Sequence, residues 1–241
     1  MNTHSIPGSK ERDMTLRKQT KSTCVLDQVR LDILTGVFSP GERLSMDVLK
    51  KKYKVGYSPL REALCRLTVI GFVNFEDQCG FYVAKLSLEE LFDLYKIRAH
   101  IETLALTLSV KHGDDYWEAN VLACWHRYAK FLKQINEKPL ELTAWNEFEK
   151  EFSFSITSAC KSAWLLRMQR MLYDNSSRYR YLCMANNVTN EKTILDYHEQ
   201  CNQLVKAVLS RNIDLAIQLL NASWDSSLNM MAKKLSEMLI A

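Results

Sequence analysis

Residues 44–83 read LSMDVLKKKYKVGYSPLREALCRLTVIGFVNFEDQCGFYV, and this stretch decides the fold. Leu60, Ala63, Leu64 and Leu67 fall at i, i+3, i+4 and i+7, the stripe of a helix packed on one side only. Ser58 followed by Pro59 reads as the start of that helix. The hydroxyl can accept an orphan N–H, and proline at the first helical position forfeits no hydrogen bond. Arg61 and Arg66 fall on the opposite face. Upstream, Met46 to Tyr53 reads as a short helix that buries Leu49 and Tyr53 and shows Lys50, Lys51 and Lys52, with Val55–Gly56–Tyr57 as the turn. Downstream, Phe72–Phe75 and Phe81–Val83 are rich in strand formers, split by Glu76–Gly80, whose Gly80 suits a hairpin turn or bulge. The natural assembly is a helix-turn-helix followed by a two-stranded wing, with the second helix able to enter a major groove. The plain alternative is a small α+β domain whose lysines are only solvated surface.

The 241 residues are 47% hydrophobic and 25% charged, a globular composition long enough for two domains. The net charge is only +4, but it is unevenly spread. Residues 1–86 hold 14 Lys and Arg against 9 Asp and Glu, an excess of five, while residues 87–241 hold 18 against 19. The positive excess coincides with the proposed reading head, and phosphate contacts are expected to be local and few. The seven Cys include no CxxC pair. With polar, charged residues at 1–21 and no apolar run near ~20 residues, no signal peptide or membrane span is read. A cytoplasmic protein with reduced thiols is the expectation.

In chain order, residues 1–21 read as a flexible arm, 22–86 as the winged helix-turn-helix and 87–241 as an all-helical domain. A helix from Thr23 to Thr35 buries Leu26, Val29 and Ile33 and stops at Gly36. Ser87–Leu88–Glu89–Glu90 is a capping box that opens a long helix ending at Gly113. The domain boundary falls near Lys85–Ser87 with almost no linker, so the two parts should be mechanically coupled. Further helices are expected over 115–136, 141–160, 163–186, 190–210 and 213–239, with breaks at Pro139, Lys161–Ser162, Asn186–Asn187 and Arg211–Asn212. The fold class is mainly α: a winged helix with a small β-hairpin, then an antiparallel bundle of six or seven helices. Trp117, Trp125, Tyr128 and Phe152 read as bundle core.

Ile33-Leu34-Thr35-Gly36, Ser39-Pro40-Gly41-Glu42-Arg43-Leu44, Ser58-Pro59-Leu60-Arg61-Glu62-Ala63-Leu64-Cys65-Arg66-Leu67 and Gly80-Phe81-Tyr82-Val83 resemble the winged-helix signature of the GntR transcription regulators. Arg98 and Glu102 after the capped helix start resemble the opening of the ligand-sensing FCD domain of the FadR branch. Within that branch the chain is similar to the carbon-starvation-induced type, which are glutarate-responsive repressors. The closer match rests on Tyr53, Gly56, Pro59-Leu60-Arg61-Glu62-Ala63-Leu64, Gly113-Asp114, Trp145, Leu165, Met168, Tyr179-Arg180 and Ala207-Val208-Leu209.

The resemblance implies a homodimer on an inverted-repeat operator, released by a small carboxylate metabolite. DNA contacts then fall on Lys50, Lys51, Lys52, Tyr57, Ser58, Arg61, Arg66 and Gly80. Arg61 takes the leading role, since a guanidinium can pair bidentately with guanine. Many relatives carry Arg where this chain has Tyr57, which cannot read guanine with two donors. Many relatives also hold a divalent metal with one Asp and three His; those positions fall here on Glu149, Ser153, Cys201 and Ser223. Serine hydroxyls are poor ligands for Zn or Ni, so no cofactor is expected. A weak three-ligand site from Glu149, His198 and Cys201 is the alternative. Without a metal, the anchor for an acidic effector falls to Arg180 or Arg98, because guanidinium grips carboxylate bidentately. Arg98 could equally pair with Glu102 one turn on. Tyr95, His100 and Tyr179 are further pocket candidates, with core or surface placement the plainer reading.

Two other functions compete. An enzyme on a helical bundle finds no nucleophile elbow, phosphate loop, HExxH or paired carboxylates in support. Glu147, Glu149 and Glu151 read as a solvated face. A regulator that has lost effector sensing is the third possibility, given the missing imidazoles.

Overall fold

The computed structural model describes residues 20–134, 142–185 and 191–240. The expected arm, apart from its last two residues, lies outside the described residues, as do Pro139 and Asn186–Asn187. Helix α1 spans Lys21–Leu34, capped by the Thr20 hydroxyl on the Thr23 N–H. Strand β1 is the pair Arg43–Leu44, followed by α2 (Met46–Tyr53) and α3 (Tyr57–Val69). Strands β2 (Val73–Glu76) and β3 (Gly80–Val83) form the wing. The sheet has three antiparallel strands in the order β1-β3-β2, with Arg43 opposite Tyr82 and Glu76 opposite Gly80. The expected hairpin therefore carries a third strand. Two residues are too few to announce themselves by alternation, and β1 exists because β3 offers it an edge.

Leu60, Ala63, Leu64 and Leu67 are fully buried and close on Val25, Val29 and Ile33 of α1, Leu49 of α2 and Phe72, Phe81 and Val83 of the wing. The expected start of α3 needs correcting. Tyr57 is the first helical residue, Gly56 is the cap, and no side chain caps the end. Ser58 is exposed, and Pro59 sits at the third helical position. Proline is tolerated there because the first four helical N–H groups lack an intrahelical acceptor in any case. Gly71 ends α3 with φ +81°; a Cβ there would lie 2.5 Å from Asn175 Oδ1, so glycine is required by both backbone and approach.

Only residues 84–87 separate β3 from α4 (Leu88–His112). Ser87 caps α4, its hydroxyl accepting the Glu90 N–H at 3.1 Å. The return half of the expected box is absent, because the Glu90 carboxylate is engaged by Arg178 and Tyr179. Five helices follow: α5 (Asp115–Gln134), α6 (Leu142–Thr157), α7 (Ala163–Ala185), α8 (Glu191–Leu209) and α9 (Ile213–Ile240). Helix α4 packs between α7 and α9, α5 lies on α6 and α8, and α8 lies on α9. Trp117, Trp125, Tyr128 and Phe152 fill the main bundle core, and Trp117 Nε1 donates to the Ser155 carbonyl at 2.9 Å.

The head is bolted to α7. Arg30 of α1 pairs with Asp174 at 2.7 Å, and Lys150 of α6 reaches the same carboxylate at 3.6 Å. Arg178 donates to the Lys85 carbonyl at 3.4 Å and to Glu90 at 2.5 Å. Among the described residues, no helix is long and apolar enough to cross a membrane.

Candidate nucleic-acid interface and effector cavity

The outward face of α3 carries Tyr57, Ser58, Arg61, Glu62, Cys65 and Arg66, all exposed. Arg61 borders a shallow groove between α3, β1 and the wing tip, with Arg43, Asp47 and Gly80. It makes no salt bridge among the described residues and remains available to a partner. Gly80 has φ +99°, a backbone setting that favours glycine where the wing turns. Arg43 was not singled out from sequence; it shares the groove with Arg61 because β1 alternates one residue out and one in.

The other expected contacts divide. Lys51 is exposed beside α3. Lys50 lies 4.3 Å from the centre of the Tyr57 ring, and the Tyr57 hydroxyl donates to Asp47, so both are held within the α2–α3 pair. Arg66 reaches back to the Thr23 hydroxyl at 3.2 Å. Lys52 turns away from α3 and pairs with Asp32 of α1 at 3.2 Å, beside the Tyr53–Asp32 hydrogen bond of 2.6 Å. Lys52 is therefore a strut between α1 and α2, a tertiary pairing that spacing within one helix could not reveal.

In the bundle, a cavity of about 280 Å³ opens between α4, α6, α7, α8 and α9. Glu149, Ser153, Arg180, Cys201 and Ser223 all border it, so four elements distant in sequence converge as the resemblance implied. Arg98 and His198 are not on its wall. Arg98 is wholly buried behind it, with Nε 3.0 Å from Glu102 and Nη1 2.6 Å from the Ser176 hydroxyl, its guanidinium 4.2 Å from the Trp224 ring centre. The ion-pair reading of Arg98 is the one its geometry supports. His198 stacks on Trp125 at 5.0 Å between centroids. Tyr95 borders the cavity, His100 is exposed, and Tyr179 is buried against Ser87 and Glu90.

Glu149 departs from the solvated-face reading: it is buried, while Glu147 and Glu151 are exposed. Its carboxylate accepts the Tyr173 hydroxyl. Arg180 is also buried; Nη1 donates to the Ser176 hydroxyl at 2.7 Å and Nη2 to Asn146 Oδ1 at 3.3 Å, but Nε finds no acceptor. Trp224 Nε1, on the same wall, likewise has none. Burial opposes the Arg180 charge, but Tyr173 and Glu149 more than offset that and hold its proton firmly. Burial pushes the Cys201 thiol up to about 12.

A metal does not fit this donor set. Two of the four positions are hydroxyls, poor ligands for Zn or Ni, which leaves one carboxylate and one thiol, too few to hold an ion. The alternative trio fails because His198 turns to Trp125. Among the described residues, no three His, Cys, Asp or Glu stand close enough to hold an ion. Glu102 and Trp224 escaped the sequence reading as cavity residues, and Asn146 and Tyr173 escaped it as the hydrogen-bond partners of Arg180 and Glu149. Only Glu102 carried a signal, as the residue one turn from Arg98.

A winged helix bolted to a helical bundle that encloses a cavity defines a class of DNA-binding regulator. The FCD domain family matches residues 93–226, and the bacterial regulatory proteins of the gntR family match residues 21–83. The chain belongs to the GntR family of transcriptional regulators, in the group that carries an FCD domain. It is 35% identical over 189 residues to the HTH-type transcriptional repressor GlaR of Escherichia coli K12, covering 78% of this chain and 86% of that protein. It is 32% identical over 203 residues to the HTH-type transcriptional regulator BphR of Paraburkholderia xenovorans LB400, covering 84% and 81%. Among solved structures, Escherichia coli McbR/YncC superposes with a TM-score of 0.73 at 17% identity, over 90% of this chain and 99% of that one. That likeness concerns the fold. These relationships are to transcriptional regulators, not to enzymes.

Proposed function

We propose that this protein is a dimeric repressor that binds an inverted-repeat operator through α3 and the wing and is released by a small carboxylate held at Arg180. The observation that carries the effector reading is the Arg180 guanidinium: buried, on the cavity wall, without an ion pair, and with an N–H that has no acceptor. A carboxylate supplies the missing acceptor and charge, and the unpartnered Trp224 N–H offers a second donor. The repressor assignment draws on the name of GlaR, and the operator contacts centre on Arg61, supported by Arg43 and Lys51. Ile97 and Leu104, exposed and seven residues apart on α4, support self-association through the bundle.

Helix α7 is suited to carry the signal. Tyr173, Ser176 and Arg180 line or brace the cavity, while on the same helix Asp174 and Arg178 hold α1 and Lys85 of the head and Asn175 lies against Gly71. A small rotation of α7 on ligand binding would alter both sets together.

The test is a mobility-shift experiment with fragments surrounding the protein's own gene, with and without short carboxylic acids. Retardation that the acid reverses is expected, and Arg180→Ala should still retard DNA but lose the response. No retarded fragment at low salt refutes the regulator reading, and a normally responsive Arg180→Ala moves the anchor elsewhere.

A further inference from the structure

Two opposite charges are buried on the wall of one cavity, and neither enters a salt bridge among the described residues. Arg180 and Glu149 are kept apart by Tyr173: the guanidinium carbon lies 4.0 Å from the centre of that ring, and the phenol hydroxyl donates to the Glu149 carboxylate. The other buried pair, Glu102 on the wall and Arg98 behind it, is self-neutralised at 2.9 Å. The Arg180 and Glu149 charges act on each other only across the Tyr173 ring, and a buried charge without a direct ion pair is costly, so each favours a ligand group of opposite sign. The donor set around Glu149 does not fit a metal ion. A second carboxylate on the ligand would bring like charges together at Glu149, whereas an ammonium would complete it.

We propose that the effector is an amino-carboxylate, its carboxylate gripped by Arg180 and its ammonium received by Glu149. This rests on the carboxylate reading of the cavity and sharpens it. Trp224 Nε1 is placed to share the carboxylate, and the half-buried Ser153 and Ser223 add neutral hydroxyls that favour neither charge. The chemistry excludes no particular chain, so amine and carboxylate are tested at two separations.

The experiment is calorimetric titration of the full-length protein with five-carbon probes: pentanoate, glutarate, 5-aminopentanoate and 2-aminopentanoate. At least one amino acid should bind ten-fold or more tightly than glutarate and pentanoate. Glu149→Gln, which keeps an acceptor for Tyr173, should erase that preference while retaining carboxylate binding, and Arg180→Ala should abolish binding of every probe. Glutarate binding within ten-fold of the tighter amino acid overturns the inference and leaves the carboxylate effector standing. A Glu149→Gln protein that keeps the preference also overturns it. If no probe binds the wild-type protein, the carboxylate reading itself falls and takes this inference with it. The comparison within the wild-type protein decides the matter even if the variants fold poorly.

Discussion

Replacing Arg98 by methionine separates a structural role from a ligand-contact role. The guanidinium is 0% exposed, and it touches Glu102, Ser176 and the Trp224 face at once. Removing one partner of a buried pair leaves the other uncompensated, at a cost of about 3–5 kcal/mol. For a chain of this size that corresponds to roughly 6–20 °C in Tm. The loss should depend on pH. Burial already pushes the Glu102 carboxyl above its ordinary 4.5, against the pull of Arg98, and without Arg98 it rises further. The folded state then holds that proton more tightly than the unfolded chain, so stability falls as pH rises above 4.5, by up to about 1.4 kcal/mol per unit. Protonation relieves the penalty as pH falls. Urea unfolding followed by tryptophan fluorescence at pH 5, 6, 7 and 8 measures it, and Arg98→Met with Glu102→Met should recover part of the loss by replacing the pair with apolar volume. A deficit that is flat with pH, or a fully stable variant that has lost effector binding, refutes the structural assignment.

Alkylation at pH 8 should modify the exposed Cys24, Cys65 and Cys79 and spare the buried Cys183 and Cys201, whose thiols burial raises from 9.0 to about 11 and 12. Because the folded values are raised, the stability linked to these two thiols is present below pH 9 and lost between 9 and 12, which melting curves across that window will show. Operator DNA should shield Cys65, which sits on the outward face of α3, from the same reagent; equal labelling with and without operator removes that face from the interface. Arg30→Ala breaks a half-buried bridge worth about 0–1 kcal/mol, yet it should weaken the effector's power to release DNA while leaving both separate affinities in place. Unchanged release in operator titrations with ligand would exclude the Arg30–Asp174 link from the signal route.

Much of the fold was legible because its signals are local. Leu60, Ala63, Leu64 and Leu67 announce α3 by spacing, Ser87 and Gly113 bracket α4, and the expected boundaries of the bundle helices lie close to the observed ones. What escaped depends on partners far along the chain. Lys52 shares its helix with Lys50 and Lys51, but it pairs with Asp32, twenty residues earlier. Strand β1 needs β3 to exist, and the start of α3 moved to Tyr57 because proline is tolerated anywhere in a helix's first turn. In the cavity, Glu149, Ser153, Cys201 and Ser223 came from resemblance, whereas Trp224 belongs to it only through packing. His198 shows the converse: one helical turn from Cys201, it still faces Trp125.

The most direct measurement is the affinity of Arg61→Ala for the operator, read by fluorescence anisotropy beside the wild-type protein. Arg61 is exposed and supports nothing inside the head, so the variant should melt like the wild type and lose about 1–3 kcal/mol of specific binding. Undiminished affinity in a correctly folded variant would contradict the placement of α3 in the groove.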